Sequence, residues 1–441
     1  MKKLSILIFL FFASSYIFSQ ENSKPNVVLI MVDDLAYECI NINGGDYKTP
    51  NLDKLALNGI RFENCHSQPI CTPSRVRIMT GKTNKKNYLN FGVLDKKETV
   101  FSQLLKENGY KTLIAGKWQL QLDKSPDIPK HFGFDEYILW QVKTRGRDST
   151  GRDKRYVNPE LEINGRKYEK NEGAYSTDLI VDYINDFMIR NKEQPFLVYY
   201  PMILTHCPFD ITPHSNDWDP TDMGSETYKG DAKYFSDMVS YMDYSIGRIV
   251  KQIDDLKLRE ETLIIFTSDN GNDSPIISNT INGEMPWGKG KTTDNGTHAP
   301  LIVSLKGKVK EGSVSKRLVD FSDFLPTICE FTGTEIPENS NIDGISFLPQ
   351  ILGSKKSKKK FIYTWYFPRP YKEGKDNKPI EWTRNENFKL YGNGNFFNVK
   401  KDFYEQKPLS IDKLNSIQKE NYNELKKGLK SYKKIKWEKS I

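Results

Sequence analysis

The sequence predicts an α/β protein: a doubly wound, mostly parallel sheet flanked by helices, followed by a small C-terminal antiparallel sheet with one helix. Three observations predict it. Two continuous apolar runs of strand length, Pro25–Val32 and Glu261–Ser268, have the composition of strands buried on both faces. Each run ends in acidic or amide residues, Asp33-Asp34 in one and Asp269-Asn270 in the other. Open α/β sheets hold their ligands at the carboxyl ends of the strands. Between and around these runs, helical periodicities alternate with further strand-length segments, which is the pattern of βαβ units.

A chain of 441 residues that is 37% hydrophobic and 12% aromatic has the material for one large core and a smaller appended unit. Lys2 and Lys3, the apolar run Leu4–Phe12 and a small or polar region ending near Ser19-Gln20 read as a secretory signal peptide over residues 1–20. No later apolar run is long enough to span a bilayer, so no transmembrane anchor is expected and the mature chain should be exported, periplasmic or secreted. The five cysteines (39, 65, 71, 207 and 329) lack zinc-like pairing. The net charge of +8 lies largely in Lys355–Lys360 and Lys426–Lys439. Such runs are solvated surface by default, and nucleic acid is not an expected partner of an exported chain.

Taken in order, Asp33 and Asp34 repel one another unless a cation lies between them. Thr49 as cap, Pro50 in the first turn and Gly59 as terminator predict a short helix. Cys71-Thr-Pro-Ser-Arg75 sets a thiol, a turn-fixing proline and a cation at the start of another helix, where free backbone N–H groups attract anions. A helix from about Val100 to Asn108 stops at Gly109, and a strand Lys111–Ala115 leads into Gly116-Lys117-Trp118-Gln119. The polar stretch of about Lys143–Lys170 reads as a long surface loop. Then come an amphipathic helix of about Thr177–Arg190, a strand Pro195–Tyr200 and His206 in Thr-His-Cys-Pro. The stripe Tyr234, Met238, Tyr241, Met242, Ile246, Ile249 and Ile253 predicts a core-facing helix over Asp231–Lys257. Beyond Asp269-Asn270-Gly271, Trp287–Gly296 carries two lysines among glycines, and Pro300–Ser304 is a further strand. The flexible, basic Gly353–Lys360 separates a domain over 25–352 from a subdomain over 361–441. There Phe361–Phe367 and Asn387–Asn398 alternate like antiparallel strands before a basic helix from about Ser416.

Cys-x-Pro-Ser-Arg followed by Thr80-Gly81 resembles the signature of the formylglycine-dependent sulfatases, type I sulfatases of the alkaline-phosphatase-like superfamily. Thr49-Pro-Asn-Leu-Asp-x-Leu-Ala56, Gly116-Lys-Trp118, Gly288-Lys-Gly290 and Asp343-Gly344 with Phe347-Leu-Pro349 are similar to further parts of the same family, over nearly the whole mature chain. The resemblance implies oxidation of Cys71 to an aldehyde whose hydrate attacks sulfur. It implies a metal site of Asp33, Asp34, Asp269, Asn270 and residue 71, whose hard oxygen donors suit calcium, with magnesium the lesser fit. Arg75, Lys117 and Lys289 would neutralise sulfate charge, and His206 would protonate the leaving alcohol, with Lys117, His206 and Lys289 binding substrate. The family reads Gly-Lys-Trp-His where this chain has Gln119, so one proton acceptor is replaced by an amide. The implied function is hydrolysis of sulfate esters of a sulfated carbohydrate, with a formylglycine-generating or anaerobic sulfatase-maturating enzyme as partner. Two alternatives stay open: a formylglycine-dependent phosphodiester or phosphonate hydrolase, and a disabled relative that binds sulfated glycan.

Overall fold

The structure, a computed structural model, describes residues 24–121, 128–140, 151–169, 171–356, 358–372 and 377–437. The leader expected over residues 1–20, and part of the expected loop over 143–170, lie outside them.

The strands are β1 (Asn26–Val32), β2 (Ile60–His66), β3 (Lys111–Lys117), β4 (Glu136–Trp140), β5 (Leu161–Ile163), β6 (Arg166–Lys167), β7 (Phe196–Pro201), β8 (Thr262–Ser268), β9 (Ile277–Thr280), β10 (Gly283–Pro286), β11 (His298–Ser304), β12 (Ser313–Asp320), β13 (Ile362–Tyr366), β14 (Ile380–Arg384), β15 (Phe388–Tyr391) and β16 (Phe396–Asn398). Ten of them form one sheet in the order β12-β2-β11-β8-β1-β7-β3-β4-β5-β6. Its centre, from β8 through β1, β7 and β3 to β4, is parallel. Antiparallel β11 joins it to the parallel pair of β2 and β12, and the short hairpin of β5 and β6 closes the other edge.

Because side chains alternate along a strand, β1 feeds two cores. Val27, Leu29 and Met31 pack with Val76, Met79, Leu104, Leu325 and Ile328 from the helices Cys71–Thr80, Phe101–Glu107 and Phe324–Thr332. Val28, Ile30 and Val32 pack on the other face with the helices Pro50–Leu57, Ser176–Arg190 and Phe235–Asp255. The stripe expected on the last of these is buried from Met238 to Ile253, whereas Tyr234 is half-buried and lies in the preceding 3-10 turn. The doubly wound arrangement is therefore present, with antiparallel additions at its edges.

Several local readings differ. The Thr49 hydroxyl does not cap its helix; it accepts from the Asn41 N–H at 2.9 Å. Gly59 is required by close approach, since a Cβ there would lie 2.3 Å from the Val303 carbonyl oxygen. Strands β2 and β12 were not expected, because Arg61, Glu63, Lys316 and Arg317 interrupt their apolar pattern. Described residues of the expected surface loop are not all surface: they supply β5 and β6 and bury Asp153, Lys154 and Arg155. Strands β13–β16 form a four-stranded antiparallel sheet in that order, with the helix Ser416–Lys433 against it. Its Tyr363, Trp365, Phe388 and Leu390 and the helix's Leu425 join the first core.

Candidate active site

Strands β1 and β8 run parallel with Val32 opposite Ser268, so the residues that follow, Asp33 and Asp269, emerge side by side. Asp34 then turns with φ of 59°, a left-handed conformation that is uncommon outside glycine. Its N–H donates to Asp269 Oδ1 at 3.1 Å. The next turn is held tight by Gly271, where a Cβ would collide with the Asn295 carbonyl oxygen. Asn270 Nδ2 donates to Asp34 Oδ1 at 2.7 Å. All four side chains are fully buried.

The helix Cys71–Thr80 begins against these strand ends. Ser74 Oγ ties it there, donating to the Asp269 backbone oxygen at 2.6 Å. Arg75, one turn on from Cys71, then lies between the carboxylates, with Nη2 3.1 Å from Asp269 Oδ2 and 3.5 Å from Asp33 Oδ2. Strand β3 runs two residues beyond its expected end and delivers Lys117, whose Nζ donates to Asp33 Oδ2 at 2.5 Å. Gln119, just past the strand, adopts φ of 47° and accepts the Cys71 thiol at 3.6 Å. The Cys71 sulfur and carboxylate oxygens of Asp33 and Asp269 lie within 4.8 Å of one another. Burial pushes the Cys71 thiol up, so the unmodified cysteine is not poised as a thiolate nucleophile.

Beyond β7, the His206 ring enters from the other side. Its Nε2 is 3.1 Å from Lys289 Nζ and 3.6 Å from Asp34 Oδ2. Lys289 donates to Asp34 Oδ2 at 2.6 Å, while Lys291 turns away to the Trp287 carbonyl and ring. Burial, then Lys289 and Lys117, hold the His206 pKa well below the ordinary value. Burial opposes the charge on Lys289, but Asp34 and Asp273 hold its ammonium above the ordinary range. The ten residues picked out by the sequence thus converge on one cluster, eight of them buried and Gln119 and Lys289 half-buried.

Sequence reasoning missed Arg155. Its Nη1 lies 2.5 Å from His206 Nδ1 and also meets the Cys207 carbonyl, while Asp153 grips the same guanidinium through Nε and Nη2, both at 2.8 Å. A guanidinium and an ammonium only donate, so the ring is held between a donor at each nitrogen, Arg155 at Nδ1 and Lys289 at Nε2, with the Cys207 carbonyl also against Nδ1. Nothing in the polar run around Arg155 marks it, because its neighbours Arg152 and Lys154 have the same composition.

The donor set fits a hard cation. Oδ1 of Asp33 and Oδ1 of Asn270 are buried acceptors with no hydrogen-bond partner among the described residues, a costly state that an ion relieves. Burial raises Asp33, but Lys117 and Arg75 more than offset it and keep this carboxylate ionised. Burial raises Asp34 against the opposing Lys289, and burial with the Asp33 charge pushes Asp269 up to about 8. Three carboxylates are not comfortably ionised together here without further positive charge. A cavity of about 530 Å³, lined by Lys54, Tyr244, Arg248 and Arg259, lies elsewhere. Arg259 precedes β8, so that cavity is at the opposite end of the strands from Asp269.

A family model described as Sulfatase matches residues 25–334, and one described as N-sulphoglucosamine sulphohydrolase, C-terminal, matches residues 283–437. The chain is 30% identical over 371 residues to the N-acetylgalactosamine-6-sulfatase of Canis lupus familiaris, spanning 77% of this chain and 68% of that protein. A solved structure titled as Ps i-CgsB in complex with k-i-k-neocarrahexaose shares the fold at TM-score 0.74 and 23% identity, over 95% of this chain and 96% of that one. The phosphonate monoester hydrolase of Agrobacterium radiobacter shares it at TM-score 0.69 and 18% identity, over 92% and 95%.

Proposed function

The chain belongs to the sulfatase family and is a sulfuric ester hydrolase, and from that premise we propose that it is an exported enzyme which removes sulfate from a sulfated carbohydrate through formylglycine made from Cys71. The observation that carries this reading is the position of Cys71. It stands at a helix start, beside Arg75 and within ligand range of Asp33 and Asp269, with its thiol held in the unreactive protonated form. Such a site gives little use for cysteine as cysteine.

Asp33, Asp34, Asp269, Asn270 and residue 71 would hold the cation, calcium by the number and hardness of its oxygen donors. As an aldehyde hydrate, residue 71 supplies one hydroxyl for attack on sulfur and a second that lets sulfate leave, an exit that a plain serine or cysteine ester lacks. Arg75, gripped by two carboxylates, presents fixed positive charge where the ester binds. Lys117 and Lys289 flank the same point and neutralise sulfate oxygens, an electrostatic role. Without substrate, the two lysines help to keep His206 neutral. A bound sulfate ester offsets their charge, favours the imidazolium and lets Nε2 protonate the leaving alcohol. Arg155 holds that ring through Nδ1.

The dog relative's name places it on a sulfated amino sugar, and the neighbour's title places that protein in complex with k-i-k-neocarrahexaose. Both support a carbohydrate substrate. The leader-like Lys2–Gln20 supports export, and no helix among the described residues is long and apolar enough to cross a membrane. The test is mass spectrometry of the Cys71 peptide after co-expression with a maturating enzyme, with sulfate release assayed on 4-nitrophenyl sulfate and sulfated sugars. Aldehyde with sulfate release is expected. An unmodified thiol in an inert protein overturns the reading in favour of glycan binding, and release from phosphonate esters but not sulfates favours the phosphonate alternative.

A further inference from the structure

A second feature is tied to the residue next to Cys71 and takes no part in the chemistry above. A groove of about 400 Å³ is lined by Asn90, Phe91, Arg369, Tyr371 and Lys372. One wall is anchored to the start of the catalytic helix, where the Gly92 N–H donates to Thr72 Oγ1 at 3.2 Å. The same loop continues to Leu94, whose N–H donates to the Leu120 carbonyl at 2.9 Å, immediately after Gln119. Residues 90–94 therefore bridge the two segments that carry Cys71 and Gln119. The opposite wall follows β13 and comes from the C-terminal sheet. It is pinned by Tyr88, whose hydroxyl donates to the Pro368 carbonyl at 2.8 Å. Beneath lie Trp365, Phe367 and Trp437, packed ring against ring, with Trp437 Nε1 donating to the Tyr88 carbonyl at 2.8 Å.

The described residues that line this groove carry charge of one sign. Its two charged residues, Arg369 and Lys372, are both cationic and exposed, and neither has an acidic partner among the described residues. Arg369 is not loose: its guanidinium lies 5.0 Å over the Phe91 ring, which fixes the plane while leaving its N–H edge available. Phe91 and Tyr371 add aromatic surface and Asn90 an amide, the mixture that packs and hydrogen-bonds a sugar ring. The groove is also electrically near the nucleophile. Burial pushes the phenols of Tyr88 and Tyr366 up, a negative charge at residue 71 would add to this, and Arg369 opposes it in both.

We propose that this groove is a substrate subsite that binds the sugar unit next to the one bearing the scissile ester, with Arg369 and Lys372 holding an anionic group, a carboxylate or a second sulfate, on that unit. The proposal rests on the carbohydrate-sulfatase reading and deepens it: the substrate is a polyanionic oligosaccharide, not a lone sulfated sugar. The division of labour follows from position. Lys117 is buried and Lys289 half-buried in the cluster around residue 71, and they meet the ester that breaks, whereas Arg369 and Lys372 are exposed and meet charge that stays on the product.

The experiment compares the wild-type enzyme with Arg369→Ala, Lys372→Ala and the double variant on four substrates: 4-nitrophenyl sulfate, a monosulfated disaccharide with an uncharged neighbouring sugar, the same with a uronate neighbour, and the same with a second sulfate on the neighbour. Binding of the last two disaccharides is also measured by calorimetry on the Cys71→Ala protein, with and without the double substitution. For one or both polyanionic disaccharides, the double variant should raise KM and weaken binding about tenfold or more, with kcat unchanged. Each lost charged contact is worth roughly that factor. The uncharged-neighbour disaccharide and the aryl sulfate should be unaffected, and the discrimination should shrink as salt rises. Whichever of the uronate and disulfate arms responds names the anion. Equal loss on 4-nitrophenyl sulfate, which means a structural role, overturns the subsite, as does unchanged binding of both polyanions. If the wild type hydrolyses none of the four, the catalytic reading fails, and the calorimetry still decides whether the groove takes a polyanion.

Discussion

The Cys71 thiol donates to Gln119 Oε1 across 3.6 Å, and Gln119 makes that contact from a left-handed backbone with φ of 47°. An amide accepts or donates a hydrogen bond at this distance but takes up no proton as a base. Gln119→Ala should therefore lower turnover by roughly tenfold to a hundredfold, the loss of one positioning contact. The unmutated enzyme should show no pre-steady-state burst of alcohol. A burst followed by slow turnover, accelerated by Gln119→His, would mean instead that sulfate release is limited by a missing base.

Cys71→Ala should abolish turnover without unfolding the protein, because it removes one sulfur atom from a helix start and leaves the buried helix otherwise intact. Circular dichroism and melting check the fold, and residual activity above about a tenth of wild type contradicts the nucleophile assignment. Cys71→Ser should stall after one sulfuryl transfer, detectable as a sulfated serine by mass spectrometry.

Chelation should remove activity and lower the melting temperature together. Without an ion, the buried Asp33, Asp34 and Asp269 face one another, and two buried oxygens lose their only ligand. Calcium should restore both properties better than magnesium. A melting curve indifferent to excess chelator argues against this metal site.

Arg155→Ala should lower kcat about tenfold to a hundredfold through misplacement of His206, with smaller effect on KM. Arg155→Lys should rescue little, because an ammonium cannot reach His206 Nδ1 while keeping the two-atom grip of Asp153. A pH–rate profile separates this from general destabilisation: the limb assigned to His206 should move with Arg155 and stay put in an unrelated variant of equal melting temperature.

Glu38 offers a stability test away from the nucleophile. Burial, reinforced by Asp294, pushes its carboxyl up to about 7. The folded state thus holds a proton that the unfolded chain releases near its ordinary value of about 4.3, so this group costs stability as pH rises between the two, with the full cost present above about 7. Glu38→Gln should raise the melting temperature at pH 8, by an amount corresponding to a few kcal/mol at most (~1.4 per pKa unit), and change little at pH 4. Equal effects at both pH values contradict the assignment.

Much of the site was legible in the sequence because its residues sit where local structure begins or ends. Asp33, Asp34, Asp269 and Asn270 follow apolar strands, and Cys71 and Arg75 share one helical turn. Lys117 ends β3, and such local spacing survives any rearrangement of the rest of the chain. The sequence also determined that β1 and β8 are buried on both faces, since their runs carry no polar alternation. Tertiary structure alone decided that those strands are neighbours with Val32 opposite Ser268, which turns four separate side chains into one donor set. It alone decided that Arg155 meets His206 across 51 positions, that Gln119 reaches Cys71 across 48, and that the C-terminal sheet brings Arg369 onto Phe91. The physical reason is the same in each case. A polar side chain in a loop has no periodicity to announce its partner, and its burial is set by the surfaces that close over it.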